Sequence, residues 1–428
     1  MEAAPPKGTH DFLPPEGSRL RALYDRAAAL ARLHGYRYVE TPGFEATGLF
    51  ARTSGEHSDV VAKEMYTFED RGGRMITLRP EGTAPVMRAY LDRLHDLGSP
   101  FKSYYLTRMY RYSRPQAGRY REHRQFGIEV FGSAEPAADV EVIAVGDRFL
   151  RGLGLERYEV QVNSIGDENC RPAYRELLIA FFEEHQDELR DEHETRFREN
   201  PLRVLDCKDE ACQVLAAKAP MITDHLCEAC REHFDGVLAG LAAEGLEPIL
   251  TPTLVRGLDY YTRTAFEFVS LALAEGASPQ QATLFGGGRY DGLAEALGGP
   301  HVPGVGFGMG LERVLLAITD EGLTPPEEPG LVVFVVALGG AARVRARTLV
   351  RELRSAELPA DLPFEERPLK AQLKMADRSG AAYALILGER ELAEGIVTLR
   401  RLDDGEQQEV PAAELVPWLR AAREIDTP

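Results

Sequence analysis

Long apolar runs are missing from this 428-residue chain. The longest, LVVFVVAL at 331–338, falls far short of the roughly 18–20 residues that cross a bilayer and has the length of a buried strand. No membrane partner is expected. The N-terminal stretch MEAAPPKGTHDFLPPEG has no signal-peptide core, so the expected location is the cytoplasm. Positive charge is in deficit: 50 Lys and Arg face 68 Asp and Glu, a net charge of −18. A field of that sign does not draw nucleic acid to the whole surface, so any such partner must meet a local patch. Cysteine is scarce too, with five in all, yet four of them fall between 207 and 230.

What is present is ordinary globular composition, 44% hydrophobic and 28% charged, at a length that suits two or three domains. One local patch stands out. Residues 102–124 hold Lys102, Arg108, Arg111, Arg114, Arg119, Arg121 and Arg124 against a single acid, Glu122. A solvated basic face is the plain explanation. Against so acidic a background, an anionic ligand is the better one.

Periodicity organises the chain. SRLRALYDRAAALARLHGY (18–36) has apolar residues at helical spacing and a glycine stop at Gly35. YVETPGFE reads as a short strand broken by Pro42, and residues 66–79 as two strands around the turn DRGGR. APVMRAYLDRL (84–94) and residues 139–153 read as helices. KSYYLTRMYRY and RQFGIEVFG read as a hairpin with an arginine-rich loop. Residues 171–245 are charged and mostly helical, an expected insertion. TDEGLTPPEEPG (319–330) has the Pro, Gly and acid content of a linker, and alternating strand and helix patterns follow it.

Three constellations carry chemistry. RGLDYYTRTAFE (256–267) packs Arg256, Asp259, Tyr260, Tyr261, Arg263 and Glu267 into one short segment. GGGRYDG (286–292) is either a phosphate-cradling loop or a place of close backbone approach, and it fits no nucleotide-loop fingerprint. Bound phosphates would therefore be gripped mainly by arginine forks, with Arg111, Arg256 and Arg313 available. Arg313 opens an apolar helix in GMGLERVLLAI and needs either a carboxylate or a ligand phosphate. Cys207, Cys212, Cys227 and Cys230 follow C-x4-C-x14-C-x2-C, a spacing that suits a structural tetrahedral zinc. The alternative is four free thiols in a reducing compartment.

The order of helix, broken strand, strand–arginine loop–strand and glycine strand–helix resembles the three-motif layout of class II aminoacyl-tRNA synthetases. Within that class, KGTHDFLP (7–14), TLRPEGTAPVMRAY (77–90), RYSRPQAGRYREHRQFGIEVFG (111–132), LVRGLDYYTRTAFE (254–267), LFGGGRYDGL (284–293) and GVGFGMGLERVLLAI (304–318) resemble the histidyl-tRNA synthetase family. AQLKMADRSGAAYALILGERELAEG (371–395) is similar to its anticodon-binding domain. The resemblance implies an α+β catalytic domain on an antiparallel sheet at 1–323, with the helical insertion inside it. It also implies a linker at 324–330 and a small α/β anticodon-binding domain at 331–428. It implies activation of L-histidine by ATP with Mg²⁺, transfer to tRNA(His), and a homodimer built around Pro42.

Residue by residue, the resemblance assigns Glu81, Thr83 and Gln125 to the histidine ammonium. Glu129, Tyr260 and Tyr261 go to the imidazole side. Arg111 and Arg256 go to the α-phosphate, and Arg313 to the γ-phosphate. Arg119 belongs with ATP, and Arg114 and Gln116 near the RNA acceptor end. His123 stands where the family more often has a phenylalanine stacking on adenine. Related regulatory subunits sense histidine without charging RNA, and they lack the anticodon-binding domain and the arginine of RGLDYY. This chain has both. A purely RNA-binding or signalling role is the third possibility, and the intact set of phosphate-gripping arginines argues against it.

Overall fold

The apolar stripe near the N-terminus folds as α1 (Glu16–Leu33), burying Leu20, Leu23, Ala27 and Ala31. The computed structural model describes residues 4–54, 60–189, 197–198, 200–205, 207, 209–258, 260–276 and 282–425; Asp259 of the RGLDYY segment lies outside them. Two compact units divide at Glu327 and Glu328.

Pro42 separates two short strands that join different sheets. β1 (Arg37–Tyr38) pairs with the large sheet. β2 (Phe44–Ala46) joins β3 (Tyr66–Glu69) and β4 (Met75–Leu78) in a small one. α2 (Thr83–Asp92) follows. The hairpin is β5 (Phe101–Tyr110) and β6 (Glu122–Phe131), in register from Phe101 opposite Phe131 to Tyr110 opposite Glu122. Then come α3 (Pro136–Gly152), β7 (Tyr158–Ser164), α4 (Arg171–Glu184), α5 (Glu228–Ala243) and β8 (Ile249–Leu250). β9 (Thr262–Ser270), β10 (Thr283–Arg289), β11 (Gly304–Gly310) and α6 (Leu311–Asp320) complete the first unit. The eight-stranded sheet runs β1-β5-β6-β11-β10-β9-β7-β8. Its six central strands are antiparallel neighbours, and only the short outer strands pair parallel.

Strand alternation divides this sheet into two unlike faces. Phe126, Ile128 and Val130 of β6 and Val305, Phe307 and Met309 of β11 enter one core with α1, α3 and α6. The intervening positions, Gln125, Gly127 and Glu129 on β6 and Gly304, Gly306, Gly308 and Gly310 on β11, therefore point the other way. Gly286–Gly288, in a stretch that reads from sequence as strand-like and as either a phosphate-cradling loop or a close approach, lie inside the central strand β10. Close approach is the correct half of that expectation. A Cβ on Gly308 would strike the Gln125 side chain, and one on Gly306 would strike both the Glu129 carboxylate and the Ile128 carbonyl.

The second unit has a five-stranded sheet, β13-β12-β14-β15-β16. β12 (Val333–Ala337) lies between β13 (Ala360–Asp361) and β14 (Tyr383–Leu387), parallel to both. β15 (Ile396–Arg401) and β16 (Gln407–Pro411) continue antiparallel. α7 (Gly340–Ser355), α8 (Leu369–Arg378) and α9 (Leu415–Ile425) pack around it. β12 is apolar throughout because both its faces are covered: Val333 and Val335 enter one core, Phe334 and Val336 the other. Among the described residues no helix is long and apolar enough to cross a membrane.

The glycine contacts generate a paired prediction. Gly306→Ala meets backbone and should destabilise the chain by about 1–3 kcal/mol, the cost of overpacking. Gly308→Ala meets only the end of a glutamine, which can swing away, so its stability should change much less. Denaturant unfolding of both variants checks this; equal losses would contradict the geometry.

Candidate active site

The glycine face of the large sheet is the floor of a cavity of about 310 Å³. Glu81 and Thr83 at the start of α2 wall one end, with Gln125, Tyr260 and Tyr261. Arg111, Arg119, His123, Arg256 and Arg313 line the rest.

The first end is built around two buried carboxylates. Glu81 accepts from the backbone N–H groups of Thr83 (2.6 Å) and Ala84 (3.2 Å), satisfying donors that the first turn of α2 leaves open. Burial still pushes its carboxyl up to about 7, against those donors and the nearby Arg111 charge. Glu129 is fully buried on β6. It accepts from Thr83 Oγ1 at 2.8 Å, Tyr105 OH at 3.4 Å and Tyr290 OH. Burial pushes its carboxyl to about 8, opposed by the Tyr290 and Thr83 hydroxyls and reinforced by the Glu81 charge. Among the described residues Gln125 Oε1, which is buried, has no hydrogen-bond partner. Tyr260 and Tyr261 have ring centroids 4.8 Å apart, and Tyr290 meets both edge-on. This end is rich in acceptors and wants donors.

The other end has the opposite appetite. Arg111 donates through Nε to Pro80 O at 2.7 Å, and Arg313 to the carbonyls of Gly118 (3.1 Å) and Thr283. Among the described residues neither makes an ion pair with a carboxylate. Burial, then the charges of Arg119 and Arg111, pulls Arg313 below its ordinary range. Arg256 is held by Glu267 at 2.5 Å, and its Nε has no partner among the described residues. Arg119 pairs with Glu64 at 2.8 Å. Burial first, and then the surrounding arginines, drives His123 down to about 3, so its ring is neutral and flat. Glu312, in the first turn of α6, accepts the Arg124 backbone N–H at 2.9 and 3.0 Å and so fixes α6 to β6.

A molecule bearing an ammonium fits the first end and a polyphosphate the second. Of the residues singled out from sequence, ten line this cavity. Glu129 sits one layer beneath it. Arg114 is exposed on the 111–121 loop, and Gln116 pairs its backbone with Arg119; neither lines the cavity. Tyr105, Tyr290, Ser113 and Glu312 were missed. Tyr290 stood inside GGGRYDG, where the glycines drew the attention. Tyr105 was one of two adjacent strand tyrosines, and only the register that puts it opposite Gly127 distinguishes it from Tyr104.

The cysteine expectation needs correcting. Cys227 and Cys230 meet Asp167 and the fifth cysteine, Cys170, not Cys207 and Cys212. Cys212 is buried on the short helix Glu210–Ala216 in the middle of the insertion, whereas Cys227 and Cys230 sit where α5 begins.

An antiparallel sheet with one face in a helical core and the other flooring an arginine-lined cavity fits the catalytic domain of a class II aminoacyl-tRNA synthetase. A model described as histidyl-tRNA synthetase matches residues 8–314, and one described as anticodon binding domain matches 332–422. Histidine–tRNA ligase of Moorella thermoacetica is 51% identical over 425 residues, covering 99% of each chain. That of Rhodococcus erythropolis is 48% identical over 415 residues, covering 97% of this chain and 96% of its own. The crystal structure of apo histidyl-tRNA synthetase from S. aureus superposes with a TM-score of 0.80 at 36% identity, covering 97% of this chain and 99% of that one. The chain belongs to the histidyl-tRNA synthetase family.

The raised carboxyls predict a pH dependence. A carboxyl whose folded value is raised binds its proton more tightly folded than unfolded. Its contribution to stability is complete below the ordinary carboxylate range and is lost as pH climbs through about 7 for Glu81 and about 8 for Glu129. With no amino acid added, the melting temperature should therefore fall from about pH 5.5 to about pH 8.5, and fall less in Glu129→Gln. Equal falls in the two proteins would contradict the burial argument.

Proposed function

We propose that the acceptor-rich end of the cavity takes histidine and the arginine-rich end takes ATP. The chain catalyses histidine–tRNA ligation: it activates L-histidine with ATP to the adenylate, releasing diphosphate, and transfers the histidyl group to the 3′ end of tRNA(His), releasing AMP. The opposed polarity of the two ends carries the assignment of roles. Among the described residues Gln125 Oε1 has no donor at one end, and at the other Arg111 and Arg313 donate to backbone carbonyls and pair with no carboxylate.

The ammonium of histidine goes to Glu81, Gln125 and Thr83. Neutral imidazole offers one N–H and one bare nitrogen. Glu129 accepts three hydroxyls where an ionised carboxylate takes about four hydrogen bonds, which leaves capacity for the ring N–H. Tyr261 donates to the bare nitrogen, and Tyr260 narrows the pocket against longer side chains. Arg256 and Arg111 take the α-phosphate and the histidine carboxylate, Arg313 and Arg119 the outer phosphates, and neutral His123 stacks on adenine. Mg²⁺ arrives on ATP as part of the substrate and offsets phosphate charge.

The histidine carboxylate attacks the α-phosphorus in line and no protein nucleophile is needed. Catalysis is positioning of two anions plus aimed cations where charge develops. In the second step the terminal ribose hydroxyl attacks the adenylate carbonyl, and a phosphate oxygen takes its proton. Arg114 and Gln116, on the loop beside the cavity, are assigned to the acceptor end of the RNA. The C-terminal unit reads the anticodon, the exposed bases that sequence-specific RNA recognition favours. The half-exposed Tyr38 and Phe44 on either side of Pro42 support a homodimer interface there. Such a chain works in the cytoplasm. A histidine-sensing regulatory role is the weaker choice because Arg256 is in place and the anticodon-binding segment is present.

ATP–pyrophosphate exchange with each amino acid in turn tests the reading: histidine alone should support it, and exchange with another amino acid, or with none, overturns it. Arg256→Ala should fold and lose this exchange by on the order of 10²–10³, the cost of one aimed charge-stabilising donor. A normal rate removes Arg256 from the chemistry. Removing residues 328–428 should leave exchange measurable and severely weaken RNA charging; unchanged charging kinetics would refute the anticodon role.

A further inference from the structure

Asp167, Cys170, Cys227 and Cys230 bring four ligand atoms within 4.8 Å of one another. Three edges of that group are 3.8 Å (Cys170 Sγ to Cys230 Sγ), 3.6 Å (Cys170 Sγ to Asp167 Oδ1) and 3.8 Å (Cys227 Sγ to Asp167 Oδ1). A tetrahedral zinc with Zn–S of about 2.3 Å and Zn–O of about 2.1 Å spaces its ligands about 3.8 Å (S to S) and about 3.6 Å (S to O) apart. The first two edges have those lengths, and the third, Cys227 Sγ to Asp167 Oδ1 at 3.8 Å, is slightly longer. Three thiols and one largely buried carboxylate converge here, and Asp167 divides its oxygens: Oδ2 meets Arg263, while Oδ1 faces the sulfurs. We propose that these four residues form a closed, structural zinc site.

The site has a mechanical consequence. Asp167 and Cys170 lie in the turn that enters α4, and Cys227 and Cys230 lie at the start of α5. Cys170 and Cys230 are 60 residues apart, so one ion pins both ends of most of the helical insertion. The pin reaches the cavity. Asp167 Oδ2 lies 3.5 Å from Arg263, an outer partner that orients a ligating carboxylate. Arg263 sits at φ +51°, a conformation held by hydrogen bonds from Ile165 N to Arg263 O (2.7 Å) and from Arg263 N to Gly166 O (2.8 Å). Arg171, next to Cys170, donates to the carbonyl of Tyr261 at 3.0 Å. Zinc therefore braces the segment that presents Tyr260 and Tyr261.

Metal analysis of the full chain purified without chelators should find about one zinc per chain. Cys170→Ser should lose it, while Cys207→Ser and Cys212→Ser keep it. Zinc near zero with the cluster thiols titratable, a Cys170–Cys230 disulfide in its place, or zinc that survives Cys170→Ser overturns the site. Should Cys170→Ser fail to fold, cobalt exchanged into the unaltered chain decides. Intense tetrahedral d–d bands with thiolate-to-cobalt charge transfer support the site, and a weak octahedral spectrum refutes it. Stripping the metal should also raise the KM for histidine several-fold and leave that for ATP unchanged. Equal changes, or none, would refute the bracing. That last readout rests on the histidine assignment and the metal content does not, so the two can fail separately.

Discussion

Two carboxylates buried on one face of a sheet set the terms for everything around them. Glu129 has no solvent exposure and Glu81 almost none, and each is driven toward its neutral form. A buried charge needs hydrogen bonds and a counter-charge. The protein supplies the first: backbone N–H groups of α2 for Glu81, and the hydroxyls of Thr83, Tyr105 and Tyr290 for Glu129. On the proposed assignment, the ammonium of histidine brings the second. Selectivity for a ring follows from the same economy, because a site built to hydrogen-bond particular atoms leaves its own groups unpaired when they are absent.

The sheet makes such burial feasible. Strand alternation gives β6 and β11 an apolar side for the helical core and a second side on which glycines clear room for Gln125 and Glu129. Antiparallel pairing of β6, β11, β10 and β9 then sets Glu129, Arg256's partner Glu267 and the glycine floor on one continuous surface, and Glu81 reaches the same cavity from the start of α2. Arginines reach that surface from elsewhere, Arg111 from the hairpin loop and Arg313 from the start of α6.

Much of this was legible in the sequence. Helical spacing marked α1, α2 and α3, alternation marked the β5–β6 hairpin, and the family motifs contain most of the residues that line the cavity, ten of them singled out. What stayed hidden were properties of depth and register. GGGRYDG looks the same as a loop or as a central strand, since its glycines serve close approach in both. Glu129 reads as a pocket residue, yet three hydroxyls stand around it, one from a tyrosine 161 positions away. The cysteines misled for a related reason. Spacing favours neighbours in sequence, so Cys170 was overlooked and Cys207 and Cys212 were over-read. The ends of an insertion meet in space because the insertion leaves and rejoins one domain, and no local pattern records that.

On the proposed assignment, histidine supplies the counter-charge and the donor that these carboxylates call for. Calorimetric titration of the chain with histidine near pH 7.5, in buffers of contrasting ionisation heat, measures it directly, since free imidazole is already mostly neutral there. Binding should release protons from the protein, and Glu129→Gln should release fewer. No net release, or uptake, would mean that the pocket does not bind histidine by re-ionising its buried carboxylates.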